Sequence, residues 1–118
     1  PLYLDRQLIQ QAILNLINNS TWAIKEKKTK ESGQITITTE YDQVKNEVIL
    51  SVSDNGIGID PEILEHIFEP FFTTKEVDEG TGLGLTMVYN IVQRHNGKIE
   101  VKSNKGEGTT FIIRFPIS

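Results

Sequence analysis

Asn15 and Asn19, in the stretch Asn15-Leu16-Ile17-Asn18-Asn19, are the first residues whose chemistry stands out. Placed four apart on a helix, their carboxamides stack one turn above the other. Neutral amides on one face form an oxygen ligand set, not a salt bridge. An Asn carbonyl is a hard acceptor suited to Mg²⁺, an ion that usually arrives with phosphates attached. The alternative is a set of ordinary surface amides. Against it, Asn competes for backbone hydrogen bonds and forms helices poorly, and three of these five residues carry that cost.

Asp54-Asn55-Gly56-Ile57-Gly58 is the second such stretch. Asn-Gly ordinarily marks a hairpin turn. Here no return strand follows, because Ile59-Asp60-Pro61-Glu62 supplies an N-cap Asp and an N1 Pro for a short helix reaching about Ile67. The glycines thus occupy a strand-to-helix corner, where backbone can approach a ligand closely, and a carboxylate at the strand end can accept from an exocyclic amine such as that of adenine. A plain turn is the competing reading. Further on, Gly80-Thr81-Gly82-Leu83-Gly84-Leu85 leads into a helix, and glycine-rich backbone at a helix N-terminus binds phosphate through free amides and the helix dipole. It is not a Walker A loop, since no Gly-Lys-Ser/Thr follows, nor a dinucleotide fingerprint, since no strand precedes it. Lys75 is placed to reach a terminal phosphate, with a solvated surface lysine as the alternative.

The elements that must position these groups are legible in order. Leu2 and Leu4 around Tyr3 allow one edge strand. Asp5 is an N-cap, and from there to about Lys28 apolar residues at Leu8, Ile9, Ala12, Ile13, Leu16, Ile17, Ala23 and Ile24 follow helical spacing. Gln11, Asn15, Asn19 and Trp22 run beside that stripe, bordering the core. Ile35, Ile37 and Thr39, then Val48, Leu50 and Val52, alternate with period two about a turn at 42–46, and predict a hairpin with one buried face. Residues 68–80 have no clean period but hold Phe68, Phe71 and Phe72 around Pro70, as expected of a lid with aromatic anchors. The helix after Gly84 runs through Met87, Val88, Ile91 and Val92 to Arg94-His95-Asn96, with Gly97 as C′. Residues 98–103 and 109–117 predict two more strands, joined by Asn104-Lys105-Gly106-Glu107-Gly108.

At 118 residues the chain fits one domain, large enough to bury roughly two-thirds of its unfolded surface. It has no cysteine, which excludes disulfides, thiolate metal sites and a nucleophilic thiol, and suits a reducing compartment. The net charge of -4 argues against a nucleic-acid surface; the lysines at 25, 27, 28 and 30 form a solvated helix end. No apolar run approaches the ~20 residues of a membrane span, and no signal-peptide pattern opens the chain.

Taken together, these stretches in this order resemble the catalytic, ATP-binding domain of sensor histidine kinases, in the superfamily shared with DNA gyrase, the MutL repair proteins and the heat-shock chaperone ATPases. Asn15 to Asn19 is similar to the N box, Asp54 to Gly58 to the first glycine box, Phe68 to Lys75 to the F box, Gly80 to Leu85 to the second glycine box and Gly106-Glu107-Gly108-Thr109 to the third. The resemblance implies an α+β fold of the Bergerat type: a two-layer α/β sandwich, its mixed, mostly antiparallel sheet of about five strands covered by about three helices. It implies one catalytic domain over 1–118 with an ATP lid at about 60–81. Asn19 would ligate Mg²⁺, Asn15 would contact the phosphates, Asp54 would bind the adenine amino group and Lys75 would meet the γ-phosphate. Gly56, Gly58, Ile59, Phe72, Thr73, Thr74, Gly80, Thr81, Gly82, Leu83, Gly84, Leu85 and Thr109 would complete the ATP site.

One departure is informative. Many N boxes continue with Asn-Ala and then a Lys-Tyr pair, whereas Ser20, Thr21, Trp22 and Ala23 follow Asn19 here. The resemblance also bears on mechanism. Hydrolases of the superfamily carry a glutamate base four residues before the Mg²⁺ asparagine, and that position is Asn15, an amide that cannot take the proton. The expected activity is therefore transfer of the γ-phosphate to a histidine on a separate dimerisation and phosphoacceptor domain, with a response regulator downstream. Neither His66 nor His95 lies in an acceptor context; both are expected to be structural or surface residues. The rival classes are a slow ATPase of the gyrase, chaperone or MutL kind and a nucleotide-binding interaction module. The fragment is expected to be a cytoplasmic monomer without nucleic-acid or membrane contact, its parent free to be membrane-anchored.

Overall fold

The structure, a computed structural model, describes residues 5–27, 32–68 and 84–116. Helix α1 spans Arg6–Lys27. It begins where Asp5 Oδ1 accepts from the amides of Gln7 and Leu8 at 3.1 and 3.2 Å, satisfying donors that the first turn leaves open. Ala12, Leu16 and Ser20, four apart, are its fully buried face, and Lys25 and Lys27 complement the dipole in the last turn. Strands β1 (Ile35–Asp42) and β2 (Glu47–Asp54) form the expected hairpin, with Asp42 Oδ1 accepting from Val44 and Lys45 in its turn. One helical turn, α2 (Pro61–Leu64), follows, then α3 (Gly84–Arg94), β3 (Lys98–Asn104) and β4 (Gly108–Pro116).

The four described strands lie in the order β1-β2-β4-β3, every ladder antiparallel. The register aligns Leu50 with Ile113 and Val52 with Phe111 on one face, and α1 and α3 cover that face. Leu50, Val52, Phe111, Ile113 and Phe115 from the sheet, Ala12 and Leu16 from α1, and Val88, Ile91 and Val92 from α3 make a single apolar core with Ile67. Each fully buried large side chain contributes about 1.5 to 3 kcal/mol relative to exposure. The outer face carries polar pairs instead, Ser53 with Thr110 at 2.8 Å and Arg114 with Glu100 at 3.1 Å. This is the two-layer α+β sandwich with helices on one face.

Several expectations are adjusted. The apolar row of β1 is not buried: Ile35 is 36% and Ile37 47% exposed. The row faces the helix side, but β1 is an edge of the described sheet that the two helices leave largely uncovered. The short helix ends at Leu64, and residues 65–68 continue as a turn that buries Ile67. At the end of α3 the left-handed residue is Asn96, with φ of 60°, not Gly97. The Asn96 amide donates to Gln93 and the Gly97 amide to Val92, a Schellman closure with Asn at C′. Gly97 is required for another reason, since a Cβ there would meet Arg114 O at 2.8 Å. The edge strand expected at Leu2 and Leu4, which would be the fifth, lies outside the described residues.

Candidate functional site

Of the polar groups singled out above, Asp54 and the glycines after it stand at one end of the sheet, packed on the last turns of α1. Asn15 and Asn19 are half-buried on α1, bordering the fully buried Leu16 and Ser20 as the stripe requires, whereas Asn18 and Gln11 face solvent. Asp54, 9% exposed, closes β2; Thr109, 5% exposed, is the second residue of β4 and lies directly opposite it. Cross-strand neighbours of this kind place their Cβ atoms about 4.5 to 5.5 Å apart. Two buried oxygen-bearing side chains therefore stand side by side where the apolar row ends. Asp54 Oδ1 accepts from the Gly56 amide at 2.8 Å, an Asx-type turn that swings the chain off the sheet.

The glycines after Asp54 are needed first by the protein itself. A Cβ on Gly56 would lie 2.7 Å from the Ala23 Cβ, and the Ile57 amide donates to Ala23 O at 3.1 Å, so this corner is sealed against the last turns of α1. Gly58, at φ of 73°, abuts the Asn104 carbonyl, and the Gly106 amide donates to Ile57 O at 2.5 Å. The turn between β3 and β4 is thus a brace for the first glycine stretch. Asp60 caps α2 by accepting from the Glu62 amide at 3.1 Å, as expected.

Helix α3 brings in the second glycine stretch. Its C-terminal end is tied to the start of α1 by His95, whose Nε2 accepts from the Asp5 amide at 2.9 Å while Nδ1 donates to Ile91 O at 2.7 Å. Because a carbonyl only accepts and an amide only donates, these two bonds assign the Nδ1–H tautomer. Both helices contribute side chains to the shared core. Over its 11 residues α3 extends about 16 Å, with Gly84 and Leu85 at the end away from that tie. The first turn of α3 contains no acidic residue. Thr86 Oγ1 donates to Phe68 O at 2.9 Å, and the Phe68 ring lies 5.5 Å from that of Tyr89, so the first of the three phenylalanines is an anchor on α3. Phe71, Phe72, Thr73, Thr74, Lys75, Gly80, Thr81, Gly82 and Leu83 lie outside the described residues.

Two residues at this end escape sequence reasoning. Asn55 accepts from the Gln34 amide at 2.8 Å, donates to Ser32 O at 2.9 Å, and takes the Lys27 ammonium on its carbonyl at 3.1 Å, tying the segment before β1 to the end of α1. Ser103 accepts from the Ile59 amide at 2.7 Å and lies 2.9 Å from both Gly108 O and Thr109 Oγ1. Its signal was present: it occupies the third inward position of β3 after Ile99 and Val101, a polar residue in an apolar row.

Comparison with known proteins agrees with this arrangement. The family model described as histidine kinase-, DNA gyrase B-, and HSP90-like ATPase matches residues 4–118. Sensor kinase CckA of Brucella abortus is 42% identical over 98% of this chain and 13% of its own length. Sensor histidine kinase ZraS of Salmonella typhi is 44% identical over 96% of this chain and 23% of its own. The chain thus spans less than a quarter of these relatives. Among solved structures, the catalytic domain of histidine kinase ThkA superposes with a TM-score of 0.78 at 39% identity, covering 98% of this chain and 70% of that one. Full-length ShkA in complex with AMPPNP gives 0.77 at 28% identity over 92% of this chain and 21% of its own. With its buried Asp54 and Thr109, its paired asparagines and its matching fold, the chain belongs to the histidine kinase-, DNA gyrase B- and HSP90-like ATPase family, as an ATP-binding domain of the sensor histidine kinase kind.

Proposed function

We propose that this domain binds Mg-ATP between α1, the Asp54 corner and the N-terminus of α3, and presents the γ-phosphate to a histidine on a separate dimerisation and phosphoacceptor domain of the same parent protein. The observation that carries the reading is the buried Asp54–Thr109 pair, an acceptor site for an exocyclic amine at the closed end of the sheet. Phosphates extending from such a base meet the free amides of α3 and the carboxamides of Asn15 and Asn19. Among the described residues no group of three or more His, Asp or Glu side chains could hold a metal alone. The donor set instead fits an ion held by the Asn19 carboxamide oxygen and by phosphate oxygens, a mode that suits Mg²⁺. Bound there, the ion would neutralise charge on the β- and γ-phosphates.

The roles of the chain's own residues follow. Asp54 accepts from the base amine and Asn15 orients phosphate oxygens. Asn15 leaves water unactivated because a carboxamide is no general base at neutral pH. Lys75 is assigned to the γ-phosphate and residues 60–81 to a lid, a reading supported by the Asp60 cap and by the bond from Thr86 to Phe68 O. The nucleophile and its base belong to the phosphoacceptor domain, with a response regulator downstream. No helix among the described residues is long and apolar enough to cross a membrane. The domain acts in the cytoplasm as a monomer, whatever anchors the parent.

Titration calorimetry with Mg²⁺ and a non-hydrolysable ATP analogue tests the binding, and incubation with γ-labelled ATP tests the transfer. The chain alone binds nucleotide, releases phosphate slowly and stays unlabelled; label on His66 or His95 would refute the assignment. Rapid Mg²⁺-dependent phosphate release abolished by Asn15→Ala would establish the hydrolase reading instead.

A further inference from the structure

Thr109 of β4 is the register partner of both Asp54 of β2 and Ser103 of β3, so the three form one row across three strands at the end of the apolar face. Proton counting fixes the polarity of that row. Ser103 Oγ makes three contacts: the Ile59 amide at 2.7 Å, Gly108 O at 2.9 Å and Thr109 Oγ1 at 2.9 Å. The amide can only donate and the carbonyl can only accept. The single Ser103 proton therefore goes to Gly108 O, and the third contact is a hydrogen bond only if Thr109 supplies the proton. A hydroxyl has one proton to give. Thr109, 5% exposed, is left with lone pairs alone toward Asp54, whose Oδ1 already takes the Gly56 amide. The buried end of the site consequently offers acceptors and no side-chain donor from this row.

We propose that Ser103 is a positioning residue that sets base selectivity: by drawing the Thr109 proton away, it makes the Asp54–Thr109 pair select a purine with a 6-amino group over one with a 6-oxo group. A 6-amino group brings two N–H donors to two acceptors. A 6-oxo group sets an oxygen against a carboxylate and a second oxygen whose proton is engaged elsewhere, and the neighbouring N1–H is one donor where the 6-amino group brings two, so a buried acceptor is left unpaired. Without Ser103, the Thr109 hydroxyl rotates freely and can donate to the 6-oxo group. The same serine holds the amide of Ile59, the residue before the Asp60 cap of α2. The inference rests on the reading that the base lies at Asp54.

The test is calorimetric titration of the chain with Mg-ATP and with Mg-ITP, whose base carries a 6-oxo group and no 2-amino group. Wild type prefers ATP. In Ser103→Ala the ATP:ITP affinity ratio falls about tenfold, the worth of one hydrogen bond near a charge, and Ser103→Thr restores it. Should Ser103→Ala fail to fold, Ser103→Cys, nearly isosteric with a far weaker acceptor, lowers the ratio in the same direction. A merely structural role predicts that both nucleotides weaken in parallel, and an unchanged ratio or parallel loss overturns the proposal. If wild type binds neither nucleotide, or its preference ignores Asp54→Asn, the base site itself fails. A preference that responds to Asp54→Asn and ignores Ser103→Ala removes only the role of Ser103.

Discussion

Replacing Asp54 by Asn separates base recognition from folding. In the structure Asp54 Oδ1 accepts from the Gly56 amide at 2.8 Å, and that bond turns the chain into the glycine corner packed on Ala23. An Asn side chain offers a carbonyl oxygen to the same amide, so the turn and its seal are kept. The other carboxylate oxygen becomes an amino group, a donor facing the donor it should accept. The loss is that of a hydrogen bond involving a charged group, about 1.5 to 3 kcal/mol, equivalent to roughly 10- to 150-fold in dissociation constant. Because Asp54 is only 9% exposed, water does not refill the contact and the upper half of that range is expected. Calorimetry with Mg²⁺ and an ATP analogue measures the affinity, and thermal melting without nucleotide measures the fold. The expected result is a weakened complex with a melting temperature within a few degrees of wild type. Unchanged affinity would refute base recognition at Asp54; a collapsed melting temperature would show that the carboxylate is chiefly structural.

Asn19→Ala should lower ATP affinity about tenfold when Mg²⁺ is present and hardly at all in EDTA, whereas equal losses in both would deny Asn19 a metal role. Gly58→Ala should cost about 3 kcal/mol or more, since its Cβ would sit 2.2 Å from Asn104 O at φ of 73°. Gly106→Ala, at φ of 85° with open space around it, should cost only about 1 kcal/mol; denaturant melts returning the opposite order would contradict the brace between the two turns. His95→Ala removes the tie between the ends of α1 and α3, and should cost about 1 kcal/mol and speed hydrogen exchange at the Asp5 amide. Exchange unaltered there would mean that the imidazole does not hold it.

Apart from the family, legible only through a resemblance, local chemistry was enough to read the Asp5 and Asp60 caps, the Pro61 start, and the alternation of β2 and β4. These depend on residues a few positions apart, whose spacing along the chain is their spacing in space. The same holds for Asn15 and Asn19, one turn apart on α1. Three things required the tertiary structure. The exposure of Ile35 and Ile37 depends on how far two helices reach across a sheet, and the alternation of β1 is silent on that. The need for glycine at 56 and 58 comes from Ala23 and Asn104, neighbours more than 30 positions away. The row from Asp54 through Thr109 to Ser103 exists only because the register of three strands places those residues abreast. A lone polar residue in the inward row of β3 marks that something there must be hydrogen-bonded, but only the fold shows that its partners are Thr109, Gly108 O and the Ile59 amide.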